Sequence, residues 1–431
     1  MRESVCPHNG VQPPTERTGG GSRWVLSELA LEGVATYRYV SGSSTFLDRV
    51  LNHFWNWAVQ WLPLWVAPNL VTLLGLAFML ASAALIVVVD KSLTAPMSPQ
   101  VAVFCAFSLF AYQTLDAIDG KQARRTGTSS PLGELFDHGC DALNAVFIFT
   151  VLAATWRLGD HPWLMLTVLF NIFFAFFMGQ WEEYHTGLMM TNNGYIGVTE
   201  GQIVQIIILL VTATFGASFW DKPVLRLGVH EGAMVVTVKA VGLTWGCLLT
   251  LWVSLGSLYR VLLSGQARSL PVGEVGNKVL GRREAVRQLL PVLLSFLLGA
   301  MWTVGHGQHV FLEHPVGVLL ALGLTMAYLS TRMIVSHMAK QPFGSAELIL
   351  PVLPQVLVLA NTHCRLLSEP ISALGAQWGG QSLPLPDVVV MWLYVALITV
   401  AYAYFSVGAT EDICAYLGLH CLSIHPRMKA A

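Results

Sequence analysis

Four aspartates in this sequence have the residue type and the spacing to bind divalent metal ions. Asp116 and Asp119 are three residues apart and Asp137 and Asp141 are four apart, so each pair lies on one face of a predicted helix. The connection 126–131 breaks the helical pattern and ends in a serine, a predicted N-cap, and a proline, which suits the first helical position. Because so short a connection makes the two helices antiparallel neighbours, all four carboxylates are predicted to meet in one small volume.

Hard cations would relieve the repulsion within this acidic group. Several carboxylates in one place repel one another strongly unless they are neutralised. Oxygen ligands without Cys or His favour Mg²⁺ or Mn²⁺ over zinc. Two ions held by carboxylates are the usual arrangement for displacement at phosphorus. The aspartates therefore predict a two-metal centre for phosphoryl chemistry.

The residues beside the aspartates suit a nucleotide diphosphate. Gly120 and Ala123 have little or no side chain, so a ligand can approach the helix closely. Arg124 can bind two phosphate oxygens at once, and Lys121 adds a positive charge. The alternative is a structural ion-pair network in which Lys121, Arg124 and Arg125 neutralise the aspartates. The repetition of Asp beside Gly favours the functional interpretation.

Composition indicates which elements carry these residues. The 431-residue chain is 54% hydrophobic and 11% charged, whereas soluble domains carry about 25% charged residues. About 20 apolar residues span a bilayer. Segments of this kind lie at 68–90, 98–118, 136–157, 162–184, 201–220, 232–262, 286–306, 315–337, 345–363 and 387–410. The predicted fold is all-α: a polytopic membrane helix bundle of about ten transmembrane helices, with an amphipathic interfacial helix in the aromatic stretch 54–65 before the first.

Basic residues predict the orientation of the bundle. The loops after spans two and six and the C-terminus hold Lys and Arg, including Lys121, Arg268, Lys278, Arg427 and Lys429. The positive-inside rule then places both termini and the aspartates at the cytosolic face. The expected regions are a disordered or loosely ordered cytosolic segment 1–45, a catalytic core 46–230 with the interfacial helix and five spans, C-terminal transmembrane helices 231–420, and a cytosolic tail 421–431. The net charge of −1 does not indicate nucleic acid binding.

The aspartates belong to a longer pattern that resembles the CDP-alcohol phosphotransferase family. The signature of that family, DxxDGxxARx8GxxxDxxxD, is matched at Asp116, Asp119, Gly120, Ala123, Arg124, Gly133, Asp137 and Asp141. The stretches 61–75, 115–125 and 130–141 look like the eukaryotic cholinephosphotransferase and choline/ethanolaminephosphotransferase branch, and the likeness is looser after about residue 210.

This resemblance implies a reaction and a location. The enzymes of this branch transfer phosphocholine or phosphoethanolamine from CDP-choline or CDP-ethanolamine to the 3-hydroxyl of diacylglycerol. CMP is released, and phosphatidylcholine or phosphatidylethanolamine forms as the final step of the Kennedy pathway. The resemblance also implies a homodimer in the endoplasmic reticulum or Golgi membrane. By the same likeness, the four aspartates hold two Mg²⁺ (or Mn²⁺), and Asn69 joins the residues that contact CDP.

The acceptor hydroxyl needs a base, for which two candidates stay open. Asp141 is the family-wide candidate, but a carboxylate that binds cations is a poor proton acceptor. His138 titrates in a useful range, and the resemblance implies that it acts with a glutamate, here Glu200. For the alcohol group, aromatic and acidic side chains are the natural ligands of an ammonium. Tyr112, Trp181, Glu182 and Tyr184 are the candidates near the predicted site.

Two other functions are weighed. One is a phosphatidyltransferase that uses CDP-diacylglycerol as donor, which the four spans after residue 262 disfavour, since those enzymes have about six. The other is an ion-coupled transporter, which ten spans would suit. The sequence shows no inverted repeat, and its acids cluster at one membrane face.

Overall fold

A computed structural model describes residues 25–40, 42, 44–190, 192, 196–227, 234–264, 281–343, 350–374 and 385–424, with the backbone alone for 365–374. The predictions for residues 1–24, and the basic residues Arg268, Lys278, Arg427 and Lys429, lie outside the described residues.

The described residues form a helical bundle with one small hairpin. The helices are α1 (Glu28–Ala35), α2 (Phe46–Ala58), α3 (Pro68–Val89), α4 (Pro99–Thr126), α5 (Pro131–Thr155), α6 (Pro162–Thr186), α7 (Val198–Phe215), α8 (Val238–Leu262), α9 (Arg282–Arg287), α10 (Leu290–Ala300), α11 (Gln308–Glu313), α12 (Pro315–Met338), α13 (Leu353–Leu374) and α14 (Asp387–Leu417). The strands β1 (Pro223–Leu227) and β2 (Met234–Thr237) pair antiparallel.

Within these residues, nine helical stretches are long and apolar enough to cross a membrane. Eight are α3 to α8, α12 and α14, and the ninth is the continuous stretch Arg282–His306. The predicted span 345–363 corresponds to a shorter apolar helix, Leu350–Cys364. It begins with one 3₁₀ turn at Leu350–Val352, since prolines at 351 and 354 lack the amide needed inside a helix. The prediction of an all-α polytopic membrane protein is confirmed.

The predicted span 232–262 differs from the structure at its start. Residues Met234–Thr237 are a strand, because this β-branched run pairs with Pro223–Leu227 across the hairpin. Thr237 then caps α8, since its hydroxyl accepts a hydrogen bond from the amide of Ala240 at 3.2 Å. The membrane-spanning helix therefore begins at Val238.

Helix α2 overlaps the stretch 54–65 that the sequence predicts to hold an interfacial helix, but it begins earlier, at Phe46, and ends at Ala58, where a 3₁₀ turn, Val59–Trp61, follows. A capping box between Thr45 and Asp48 starts α2. Trp57 near its end and Trp61 in the following 3₁₀ turn are exposed, as expected of rings at a membrane interface. The guanidinium of Arg125 on α4 donates hydrogen bonds to the carbonyl groups of Val59 and Leu62. The interfacial segment is thereby fixed to the helix that carries the first aspartate pair.

The turn between α4 and α5 has the predicted chemistry. Helix α4 ends at Thr126 and is capped by Gly127, whose φ of +68° lies in the left-handed region that suits glycine. The Ser130 hydroxyl accepts a hydrogen bond from the Gly133 amide at 3.4 Å, and Pro131 is the first residue of α5. The C-terminal end of α4 thus lies next to the N-terminal end of α5, as predicted. We call the end of the bundle where these termini lie the site end.

Burial separates the centre of the bundle from its periphery. Helix α12 is the most enclosed span, with 89% of its apolar window buried, and it packs on α5, α6 and α14. Only 17% of the corresponding windows of α7 and α8 is buried, so these helices present apolar side chains to lipid. The aspartate helices α4 and α5 lie between these extremes.

Residues 25–40, 42, 44 and 45, which we call the N-terminal strap, are held across the site end by distant parts of the chain. The carboxylate of Asp412 on α14 accepts hydrogen bonds from the amides of Val25 and Leu26 at 2.7 and 2.9 Å. Gly33 lies so close to Ala339 that a Cβ would be 2.0 Å from the Ala339 carbonyl oxygen, which only glycine permits. The strap contains a helix, α1, within the segment 1–45 that the sequence predicts to be loosely ordered.

Candidate metal and substrate site

Three of the four predicted metal ligands meet at the site end. One carboxylate oxygen each of Asp116, Asp119 and Asp137 lies within 4.8 Å of the others, which is close enough to hold a cation between them. Asp116 and Asp119 reach this point from one face of α4, and Asp137 comes from the second turn of α5. The i, i+3 spacing and the short turn together produce this convergence, as the sequence predicts.

The fourth aspartate is held differently. Asp141 accepts a hydrogen bond from the phenol of Tyr112, a fully buried residue one turn before Asp116 on α4. It does not belong to the group of three that could share one ion. The role of Asp141 as a metal ligand or base stays a prediction. Tyr112, a predicted candidate for binding the substrate ammonium, donates its hydrogen bond to this carboxylate.

Helix α3 supplies polar groups to the aspartates. The Thr72 hydroxyl donates a hydrogen bond to Asp119 Oδ2 at 2.5 Å, and both side chains are buried. One turn earlier, Asn69 Nδ2 donates to the carbonyl oxygen of Cys421 at 3.0 Å. Its Oδ1 lies 3.9 Å from where a Cβ would be on Gly133. Asn69 is thus beside the start of α5, and its predicted contact with CDP stays a prediction.

The site fits a divalent cation. The Oδ1 atoms of Asp116 and Asp137 are buried, and neither has a hydrogen-bond partner among the described residues. Orphaned buried carboxylate oxygens are costly, and an ion would satisfy them. None of the ion pairs between described residues joins a lysine or arginine to the four aspartates. The structural ion-pair network considered above is therefore not what these residues form.

The predicted nucleotide-binding residues lie in different settings. Arg124 is exposed, and its Nη1 lies 3.7 Å from where a Cβ would be on Gly120, so the bare helix surface and the guanidinium are adjacent. Ala123 is in the same turn and is partly exposed. Lys121 instead donates hydrogen bonds from Nζ to the side-chain carbonyl oxygens of Asn52 and Asn56 on α2, at 2.5 and 2.8 Å.

His138 has an acidic and an aromatic neighbour. Its Nε2 is 4.0 Å from Glu134 Oε2, and its ring meets the Tyr39 ring edge to face with centroids 5.7 Å apart. Glu134, Asp137 and His138 form a second group whose ligand atoms lie within 4.8 Å of one another. Asp137 therefore belongs to both groups and connects them.

Glu200 is engaged in a helix cap. Its Oε2 accepts a hydrogen bond from the amide of Gly197 at 2.8 Å, and its Oε1 is buried without a hydrogen-bond partner among the described residues. The start of α7 is joined to α4 through Gln113, whose side chain donates to the Thr199 carbonyl oxygen at 3.4 Å. The predicted partnership of Glu200 with His138 stays a prediction.

The candidates for recognising the alcohol group are engaged in protein contacts. Trp181 is fully buried and donates from Nε1 to the Ala285 carbonyl oxygen at 3.1 Å. The buried carboxylate of Glu182 forms an ion pair with the partly exposed guanidinium of Arg260 on α8. Tyr184 donates from its hydroxyl to the Gln341 carbonyl oxygen at 3.1 Å. These side chains tie α6 to its neighbours.

Sequence reasoning gave no role to Thr72, Tyr39 and Glu134. The i, i+3 spacing of Asn69 and Thr72 is a signal for the first. The i, i+4 spacing of Glu134 and His138 is a signal for the last. Tyr39 has no such signal, because it reaches the site through the long-range contacts of the strap.

Comparisons with known proteins place this geometry in a family context. Residues 65–252 match the CDP-alcohol phosphatidyltransferase family. Cholinephosphotransferase 1 of Rattus norvegicus is 33% identical over 324 residues, which cover 74% of this chain and 77% of the relative. Cholinephosphotransferase 1 of Danio rerio is 30% identical over 405 residues, 94% of this chain and 97% of the relative. An uncharacterized CDP-alcohol phosphatidyltransferase class-I family protein of Dictyostelium discoideum is 29% identical over 404 residues, 93% of this chain and 88% of the relative.

Proposed function

Because this chain belongs to the CDP-alcohol phosphatidyltransferase family, we propose that it transfers phosphocholine, and also phosphoethanolamine, from the CDP-alcohol to the 3-hydroxyl of diacylglycerol. The products are CMP and phosphatidylcholine or phosphatidylethanolamine, as in the final step of the Kennedy pathway. Two of the similar relatives, from Rattus norvegicus and Danio rerio, are named cholinephosphotransferases, and these names support choline as the alcohol. The enzyme acts as an integral membrane protein, in our proposal in the endoplasmic reticulum or Golgi membrane, as a homodimer with its site facing the cytosol.

The convergence of three aspartates with two orphaned oxygens carries this proposal. Asp116, Asp119 and Asp137 would hold Mg²⁺ or Mn²⁺, with Asp141 completing the set for a second ion. When bound, such ions neutralise the charge that develops on a diphosphate during displacement. A lipid-facing bundle with this site at one end lets a membrane-dissolved acceptor and a water-soluble donor meet.

The residues of the chain would divide the remaining work. Arg124 would bind phosphate oxygens of CDP beside the bare surface of Gly120 and Ala123. His138 would take the proton from the acceptor hydroxyl as its oxygen bonds to the β-phosphorus. The bond from that phosphorus to the CMP oxygen then breaks, and the electron pair leaves with CMP. Within this proposal Lys121 acts mainly by holding α2 against α4.

A donor competition assay on the purified chain tests the proposal. CDP-choline and CDP-ethanolamine, with fixed diacylglycerol and Mg²⁺, are expected to yield CMP and the matching phospholipid. EDTA is expected to stop CMP release, and Mg²⁺ or Mn²⁺ to restore it. Incorporation of label from CDP-diacylglycerol into a water-soluble alcohol instead would establish the phosphatidyltransferase alternative. Substrate accumulation in vesicles without CMP release would establish transport.

A further inference from the structure

An aromatic ring and a carboxylate flank His138 at the edge of the candidate site. Tyr39 of the strap and Glu134 of α5 both contact the histidine, at 5.7 Å between ring centroids and at 4.0 Å between Nε2 and Oε2. His138 is only 7% exposed, whereas Tyr39 is 38% exposed and the Glu134 side chain 31%. Tyr39 and Glu134 are therefore the accessible neighbours of His138, and a ligand group beside His138 would contact both of them.

Glu134 is joined to the other predicted metal ligands through Asp137. Asp137 shares one group with Asp116 and Asp119 and another with Glu134 and His138. In a CDP-alcohol, the ammonium is separated from the ester oxygen on the β-phosphorus by two carbons. If the diphosphate binds at the aspartates, the alcohol end is therefore within reach of the second group.

The charge of the pair suits a cation. Within the described residues, no lysine or arginine nitrogen lies within 4.0 Å of the Glu134 carboxylate, although Arg124 is near enough to interact with it electrostatically. Burial, followed by the nearby carboxylates of Glu134 and Glu183, raises the pKa of Tyr39 well above its ordinary value, so the phenol stays neutral. A neutral aromatic face beside a carboxylate is the arrangement that binds alkylammonium groups.

We propose that Tyr39 and Glu134 form the subsite that binds the ammonium of the CDP-alcohol and determines which alcohol is accepted. This inference rests on the proposed function and deepens it by assigning alcohol recognition. The ring contributes most to a quaternary ammonium, which has no N–H to donate. The carboxylate contributes most to a primary ammonium, to which it offers a hydrogen-bond acceptor as well as a charge.

Equilibrium binding measurements distinguish the contribution of the alcohol end of the CDP-alcohol from that of its nucleotide end. Calorimetric Kd values of CDP-choline and CMP are measured in Mg²⁺ on the wild-type chain and on Tyr39→Leu. The loss of a cation–π contact is expected to weaken CDP-choline about 2- to 30-fold and to leave CMP, which lacks the alcohol, unchanged. Tyr39→Phe keeps the aromatic face and is expected to bind CDP-choline as wild type does. Tyr404→Leu removes an exposed tyrosine of α14 as a matched control.

A second variant keeps the test decisive if Tyr39→Leu does not fold. Glu134→Gln is expected to weaken CDP-ethanolamine more than CDP-choline, again without an effect on CMP. Wild-type binding of CDP-choline no tighter than that of CMP would overturn the subsite, as would equal losses for CDP-choline and CMP in both variants. Failure of the proposed function would show separately. The wild-type protein would then release no CMP, although it binds CDP-choline and CMP with different Kd values.

Discussion

The hydrogen bond from Thr72 to Asp119 offers a direct test of the metal centre. Thr72→Val removes the hydroxyl and keeps the shape of the side chain. Thr72 and Asp119 are 2% and 6% exposed, so water cannot easily replace the 2.5 Å contact. A hydrogen bond to a charged group contributes about 1.5–3 kcal/mol, which corresponds to about 10- to 150-fold in an equilibrium constant.

The loss should appear in the metal requirement. Groups that orient metal ligands typically change metal affinity by about 10- to 100-fold when they are removed. CMP release from CDP-choline is therefore measured as a function of Mg²⁺ concentration. The half-saturating concentration is expected to rise by at least about tenfold, while kcat at saturating Mg²⁺ stays near the wild-type value.

Two further variants serve as controls. Thr72→Ser restores the hydroxyl and is expected to recover the wild-type metal requirement. Thr150→Val removes another buried hydroxyl, which donates only to the Val146 carbonyl within α5, and should not change the metal requirement. A Thr72→Val protein with an unaltered Mg²⁺ dependence would refute the idea that Asp119 binds the metal in this arrangement.

Four other substitutions address the site and the helix packing beside it. Asp116→Asn and Asp137→Asn are each expected to reduce CMP release below detection while the protein remains monodisperse in detergent by size exclusion. His138→Ala is expected to slow single-turnover product formation by about 100-fold or more, as for a lost general base; a near-normal rate would give that role to Asp141 or to water. Glu182→Ala leaves the cation of a partly buried ion pair without its partner. It is expected to destabilise the fold by about 1–3 kcal/mol, seen as a lower Tm without a change in KM for the donor; a changed KM with an unchanged Tm would contradict this purely structural role.

Much of the metal centre follows from spacing along the sequence. The i, i+3 and i, i+4 pairs and the turn at 126–131 are local features, and local geometry alone brings Asp116, Asp119 and Asp137 together. Span positions also follow from hydropathy, because lipid imposes one length scale on every helix. Lys121 is two residues after Asp119, on another face of α4. The sequence did not indicate its contact with Asn52 and Asn56 of α2.

The remaining features depend on long-range contacts that no local pattern encodes. The strap has a helix of only eight residues and buries four apolar side chains, Leu26, Ala30, Leu31 and Val34, in the core. Its placement also involves Asp412 and Lys340, which bind Val25 and Thr36 from across the chain. Asp137 belongs to the group of three aspartates, whereas Asp141 accepts a hydrogen bond from the Tyr112 hydroxyl. The apolar pattern of α4 does not reveal this partner. Tertiary contacts of this kind decide which polar side chains near a site are free to meet a substrate.

The tether between Asp412 and the amides of Val25 and Leu26 joins residues almost 390 positions apart. A ribosome makes the strap long before Asp412, so this tether can form only after the helix that carries Asp412 has been made. Asp116, Asp119 and Asp137 can meet much earlier, when α5 is in place. Biosynthesis would therefore assemble this site in two stages, with the acidic centre formed early and Tyr39 added last.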